Sequence, residues 1–131
     1  MNGVELIAAE RQRQIEIEGW TATHDDKGHQ IGELCSAAHC YIVAGDCLAN
    51  GKELMGDEYH DTPAGLKQEI LDNKFGNACA WPWDEDWLKI SDDPIRNLVK
   101  AGALVAAEID RLQRKSPNAE VSDVRGAHSL H

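Results

Sequence analysis

Asp92-Asp93-Pro94-Ile95-Arg-Asn-Leu98-Val99-Lys-Ala-Gly102-Ala-Leu104-Val105-Ala106-Ala-Glu-Ile109-Asp-Arg-Leu112 is the stretch that decides the fold of this chain. Asp92 or Asp93 can accept from the free N–H groups of a helix start. Pro94 then falls at the first helical position, where its missing N–H costs nothing. Ile95, Leu98, Val99, Gly102, Val105, Ala106, Ile109 and Leu112 recur at helical spacing, and Ala101, Leu104 and Ala107 widen the stripe. A helix this apolar is expected either at the centre of the domain or at a boundary shared with a second subunit.

Working outward, a helix is predicted over 3–18. Asn2 followed by Glu5 has the spacing of a capping box, and Gly19 supplies a stop. Val4, Ile7, Ala8, Arg11 and Ile15 form its expected inner face, with Ile17 off that stripe. Residues 19–30 are too polar to continue it and are read as a loop. A second helix is predicted over 31–49, turning Leu34, Ala38, Tyr41, Ile42 and Leu48 inward and ending at Asn50-Gly51. Pro63 opens a shorter helix to Asn73 carrying Leu66, Ile70 and Leu71. The segment 81–93, with two prolines close by, three tryptophans and alternating acids, is an ordered loop. The expected fold is mainly α: one compact helical domain over 1–114, of three main helices and a shorter one with ordered tryptophan-rich loops. Residues 115–131 are Ser-, Pro-, Asn- and Gly-rich and are expected to form a mobile polar tail.

The 131-residue length suits one core, and 42% hydrophobic with 27% charged residues argues against wholesale disorder. No apolar run approaches the roughly 20 residues of a membrane-spanning helix, so no membrane partner is expected. The N-terminal residues lack the features of a secretory signal, and the expected location is the cytoplasm. A formal charge of −10 repels a phosphate backbone at long range and excludes nucleic acid as an expected partner. Small anions stay allowed, because a local Arg/Lys cluster outweighs a distant field. Cys35, Cys40, Cys47 and Cys79 form no CxxC pair and are read as reduced, mostly buried thiols.

Two segments concentrate chemistry. In Glu18-Gly-Trp20-Thr-Ala-Thr-His24-Asp25-Asp26, an indole is followed by an imidazole and two carboxylates. The segment is either a loop anchored by its tryptophan or a ligand wall. In Trp81-Pro-Trp83-Asp84-Glu-Asp-Trp87-Leu-Lys89, three of the four tryptophans lie within seven residues. They either pin a loop over the helix at 94–112 or offer a stacking surface with Lys89 as charge. Metal patterns are thin. Cys35 and His39 share a helix face, His60 and Asp61 are adjacent, and nothing completes a zinc set. Glu58–Asp61 and Glu69–Asp72 each read ExxD, but no ExxE accompanies them. Half of the paired-acid apparatus of helical nucleotide pyrophosphohydrolases is therefore missing.

Glu10-Arg-Gln-Arg-Gln-Ile15 with Glu18-Gly-Trp20 and His24-Asp-Asp26, the block Trp81-Pro-Trp-Asp84 with Trp87, and Lys100-Ala-Gly-Ala-Leu104 through Ala107-Glu-Ile-Asp-Arg-Leu112 together resemble a family of small phage and prophage proteins. The likeness covers about 5–49 and 80–113, with 51–79 as an insertion. The first segment is also faintly similar to ryanodine-receptor-type repeats. The resemblance implies a phage setting, in which small proteins counter host defences and some sequester nucleotide-derived signals. The expectation is a protein that binds a nucleotide-like small molecule, as a homo-oligomer joined through the helix at 94–112. Trp20, Trp81, Trp83 and Trp87 would stack, Arg11, Arg13 and Lys89 would contact phosphate, and His24, Asp25 and Asp26 would bond ribose or base edges, with Asp84 in the same loop. No cofactor is expected. Two alternatives stand beside this. One is an Mg²⁺-dependent hydrolase with Glu10, Asp25, Asp26 and Glu33 as ligands. The other is an inhibitor that docks a host protein.

Overall fold

Asn2 opens the first helix as its spacing predicts. Its side chain accepts from the Glu5 amide, and the Glu5 carboxylate accepts from the Asn2 amide, both at 2.9 Å. A computed structural model describes residues 1–19 and 32–115 of the chain. The helices are α1 (Gly3–Glu16), α2 (Glu33–Met55), α3 (Pro63–Leu71) and α4 (Pro94–Lys115). Single 3₁₀ turns occur at Asn77–Cys79 and Glu85–Trp87. No strand occurs among the described residues, and the fold is mainly α. No described helix is long and apolar enough to cross a membrane.

The core lies between α2 and α4, which run antiparallel. Gly45 meets the side chain of Leu98 and the carbonyl of Pro94, while Cys35, ten residues earlier, lies in the field of Glu108 and Arg111. A Cβ on Gly45 would stand 2.8 Å from Leu98 Cγ, so the absent side chain sets how closely the two helices approach. Leu34, Ala37, Ala38 and Tyr41 of α2 pack with Ala101, Leu104 and Ala107 of α4, and Ile70, Cys79 and Leu88 close the same cluster. Leu66 is also fully buried. Residues 51–79 thus give the core several of its members, whatever their history.

Several boundaries and faces differ from the sequence reading. Asn50-Gly51 does not stop α2, which continues to Met55 and ends at Gly56 with φ 102°. Asn50 donates to Asp46 Oδ1 within the helix at 2.8 Å. Gly51 serves close approach: a Cβ there would lie 2.2 Å from the Tyr59 ring. The first helix ends at Glu16, two residues early, with Ile17 as its cap. Its inner face is mixed: Ile7 of the predicted stripe packs on Gly102, with Arg11 and Ile15 half-buried. Val4 and Ala8 are exposed, whereas Glu10 and Gln14 are buried.

On α4 the predicted stripe is split: its members Val99, Ala101, Leu104 and Ala107 are buried, and most of its larger members are not. Ile95, Leu98, Val105, Ile109 and Leu112 are 40–61% exposed, and the buried face carries Asn97, Ala101, Leu104, Glu108 and Arg111. Its buried charges are paired, Arg111 Nε donating to Glu108 Oε1 at 2.6 Å. Ile42 of α2 is likewise 42% exposed. The start of α4 follows expectation, with Asp93 Oδ1 accepting from the Ile95 amide at 3.0 Å.

Buried polar groups hold the 81–93 segment to the helices. Asn97, wholly buried, accepts from the Ser91 amide and donates to the Ser91 carbonyl, at 2.9 and 2.8 Å. The Tyr41 hydroxyl accepts from the Lys89 amide at 3.1 Å and donates to the Trp87 carbonyl at 3.4 Å. Burial pushes its pKa up to about 12, so it stays a donor at any ordinary pH. Cys40 donates to the Cys79 carbonyl at 3.3 Å. All four cysteines are free thiols; Cys40 and Cys79 are buried, Cys47 half-buried and Cys35 exposed.

Candidate functional site: a cationic cleft between α1 and α4

Glu10 and Gln14 lie one turn apart on α1, on the face turned inward. A buried carboxylate needs counter-charge, and two helices supply it. Arg13 Nε and NH2 donate to Glu10 Oε1 and Oε2 at 2.8 and 2.9 Å. From α4, Arg96 reaches Glu10 Oε1 at 2.7 Å. Burial alone would raise the Glu10 pKa, but the two guanidiniums outweigh it and hold the carboxyl below its usual range. Arg13 also pairs with Glu18 at 3.0 Å, and its own pKa rises, mainly through the bonds to Glu10.

These groups form one wall of a cleft of about 230 Å³ lined also by Glu18, Tyr41, Trp87, Lys89, Lys100 and Leu104. Lys100 donates to the Lys89 carbonyl at 2.6 Å, and its ammonium lies 5.3 Å from the Tyr41 ring centroid. Burial, reinforced by the charge of Arg96, lowers its pKa. Lys89 stands 5.8 Å from the Trp87 ring centroid, and Trp87 is half exposed. Four cationic side chains face two carboxylates, a formal +2 in a chain of −10. Gln14 donates to Glu10 at 3.4 Å, but its buried Oε1 has no partner among the described residues. A buried amide oxygen left unbonded costs about 1–3 kcal/mol, which a donor on a bound molecule would recover. The cleft therefore suits an anion that carries a neighbouring N–H or O–H.

Of the two segments singled out in the sequence, Glu18 of the first and Trp87 and Lys89 of the second line this cleft. Trp20, His24, Asp25 and Asp26 lie outside the described residues. Of the expected phosphate ligands, Arg13 and Lys89 line the cleft. Arg11 points elsewhere, its Nε 3.8 Å from Asp110. Trp81 and Trp83 are half-buried rings packed against the core. Trp81 meets Tyr41 and Trp83 edge-on at 5.8 and 5.3 Å and donates to the Asp84 carbonyl at 2.9 Å. Trp83 donates to Glu33 Oε2 at 3.1 Å. Asp84 caps the turn at Glu85–Trp87 through the Asp86 amide, outside the cleft.

Of the four acids of the hydrolase alternative, Asp25 and Asp26 are not described. Glu10 is held by guanidiniums, and Glu33 bonds Trp83 across the molecule. Among the described residues no group of three or more His, Cys, Asp and Glu could hold a metal ion. Arg96, Lys100 and Gln14 are the cleft residues that sequence reasoning missed. The two cations sit inside an apolar-looking helix, and only their spacing of four residues on one face could have drawn attention to them.

A second hollow, of about 180 Å³, lies by Cys47, Lys52, Tyr59, His60 and Asp61. Glu69, beside Asp61, has a raised pKa, from burial and from the neighbouring Asp61 carboxylate. The cluster is acidic and holds no concentration of cations. The fold and the first cleft thus define a class: a helical protein with a cationic, tryptophan-edged cleft. No family model, curated protein or solved structure matches the chain.

Proposed function

We propose that the protein binds an anionic small molecule of the nucleotide kind in the cleft between α1 and α4. The observation that carries this reading is the gathering of Arg13, Lys89, Arg96 and Lys100 around one hollow of a strongly acidic chain. Trp87 offers an exposed indole at the rim for a planar base, and Gln14 Oε1 is ready to accept from a sugar hydroxyl or a ring amine. The hollow is slightly smaller than the ~300–1,000 Å³ of typical ligand pockets, which suits a phosphorylated sugar inside with its base resting on Trp87. Glu10 would hold two guanidiniums at the cleft and offset part of their charge, so that it competes with a bound anion for them. In a phage protein, such binding would sequester a nucleotide-derived signal in the cytoplasm of the host.

The test is isothermal titration with nucleoside mono- and diphosphates, adenosine and inorganic phosphate. Phosphorylated nucleosides should bind, adenosine should not, and Trp87→Ala should weaken binding about tenfold with the fold intact, since this ring is half solvent-exposed. Absence of heat with every phosphorylated compound would sink the reading. Recovery of the ligand unchanged after incubation with Mg²⁺ separates binding from hydrolysis.

A further inference from the structure

We infer that Gln14 makes the cleft selective for phosphate esters that carry a free hydroxyl beside the phosphate. The inference rests on the reading of the cleft as an anion site and narrows its ligands to one chemical class. Gln14 is 3% exposed and lines the cleft together with Arg13, Lys89, Arg96 and Lys100. Its buried Oε1 has no donor among the described residues.

Chemistry sets which way the amide faces. The two guanidiniums keep Glu10 ionised, so both of its oxygens only accept. Gln14 therefore turns its amino end to Glu10 Oε2, at 3.4 Å, and its carbonyl end away from it. The flipped amide would set two acceptors against each other. The four cations of the lining are donors, and its two carboxylates are met by arginine: Glu10 by Arg13 and Arg96, Glu18 by Arg13. A phosphate ester meets the cations but brings no donor of its own above neutral pH, because its second pKa is about 6. The donor that Gln14 lacks must then come from the rest of the ligand.

Position selects a hydroxyl over a base N–H. Arg13 NH2 and Gln14 Nε2 meet on the same oxygen of Glu10, at 2.9 and 3.4 Å. The Gln14 amide thus sits beside a guanidinium that would take the phosphate. A sugar or polyol phosphate places a hydroxyl close to its ester linkage, whereas a base lies several bonds further out.

Isothermal titration of the full chain at about pH 8, where the ester is a dianion, tests this with adenosine 3′-monophosphate and its 2′-deoxy form. The two differ only in the hydroxyl next to the phosphate. The hydroxylated ligand should bind the wild type about ten- to a hundredfold more tightly, the worth of pairing one buried acceptor. Gln14→Met keeps the length of the side chain without the acceptor, and should bring that ratio close to one. Its helical circular dichroism checks the fold, and should it not fold, the wild-type ratio decides alone. Equal wild-type affinities, or a ratio that survives Gln14→Met, overturn the inference and leave the anion reading standing. A wild type that binds neither compound overturns both.

Discussion

Replacing Glu10 by glutamine should make the protein less stable and a better anion binder at the same time. The side chain of Glu10 is 2% exposed and accepts four bonds, three of them charge-assisted: two from Arg13 and one from Arg96. Breaking one side of a fully buried ion pair costs about 3–5 kcal/mol. Here the Arg13 and Arg96 side chains are 33% and 36% exposed, so water takes over part of the loss. Glutamine also keeps one accepting oxygen, and about 2 kcal/mol is the expected net loss. For a domain between the small and medium size classes this lowers Tm by about 6–10 °C. The two guanidiniums then keep only Glu18, bonded to Arg13, as a counter-charge in the cleft. At an effective dielectric constant near 20, each close like-charge pair costs about 3–4 kcal/mol. An added anion relieves that repulsion. Thermal unfolding followed by circular dichroism, with phosphate against chloride at equal ionic strength, reads both effects. Phosphate should raise the Tm of Glu10→Gln by clearly more than it raises that of the wild type. A Tm within about 1 °C of wild type, or equal phosphate shifts in the two proteins, would refute the assignment of Glu10 as the counter-charge of this cleft.

Three further outcomes are expected. The Glu10 pKa is lower in the folded chain than its ordinary value of 4.5, so its stabilisation is complete above that pH and fades as pH falls through the lower folded value. Urea unfolding between pH 6 and 3 should show this acid-side loss in the wild type and a shallower one in Glu10→Gln. Asn97→Leu removes both bonds to Ser91 and strands its half-buried amide and carbonyl, for a loss of about 2 kcal/mol in urea, with faster proteolysis between residues 84 and 92. Leu104→Ala should cost about 2–5 kcal/mol, because Leu104 is 1% exposed at the centre of the α2–α4 contact.

How much of this was legible in advance depended on range. Helix starts were legible because caps act over three residues: Asn2 with Glu5, Pro63 and Asp93-Pro94 each sit where the structure uses them. Helix ends were less so. Asn50-Gly51 has the composition of a stop, yet Gly51 is there for the Tyr59 ring, a neighbour eight residues on that no local pattern announces. The tryptophan cluster was visible as a cluster, and its division of labour was not. Trp81 and Trp83 are pinned by packing and by bonds to Asp84 and Glu33, which leaves Trp87 as the ring at the cleft.

The sequence by itself determined the helices, their apolar stripes and the acidic charge of the chain, since these depend on spacing and composition. It could not say which stripe faces inward. On α1 and α4 the apolar stripes are only partly inside, and Glu10, Gln14, Asn97, Glu108 and Arg111 go inside beside them. That arrangement is possible because each of these polar groups bonds another side chain or a backbone group, and the charge of Glu10 is met by Arg13 of α1 and Arg96 of α4. The cleft follows from the same cause. Glu10 and Arg96 are 86 residues apart in sequence and 2.7 Å apart in space, a contact that the packing of α1 on α4 alone decides.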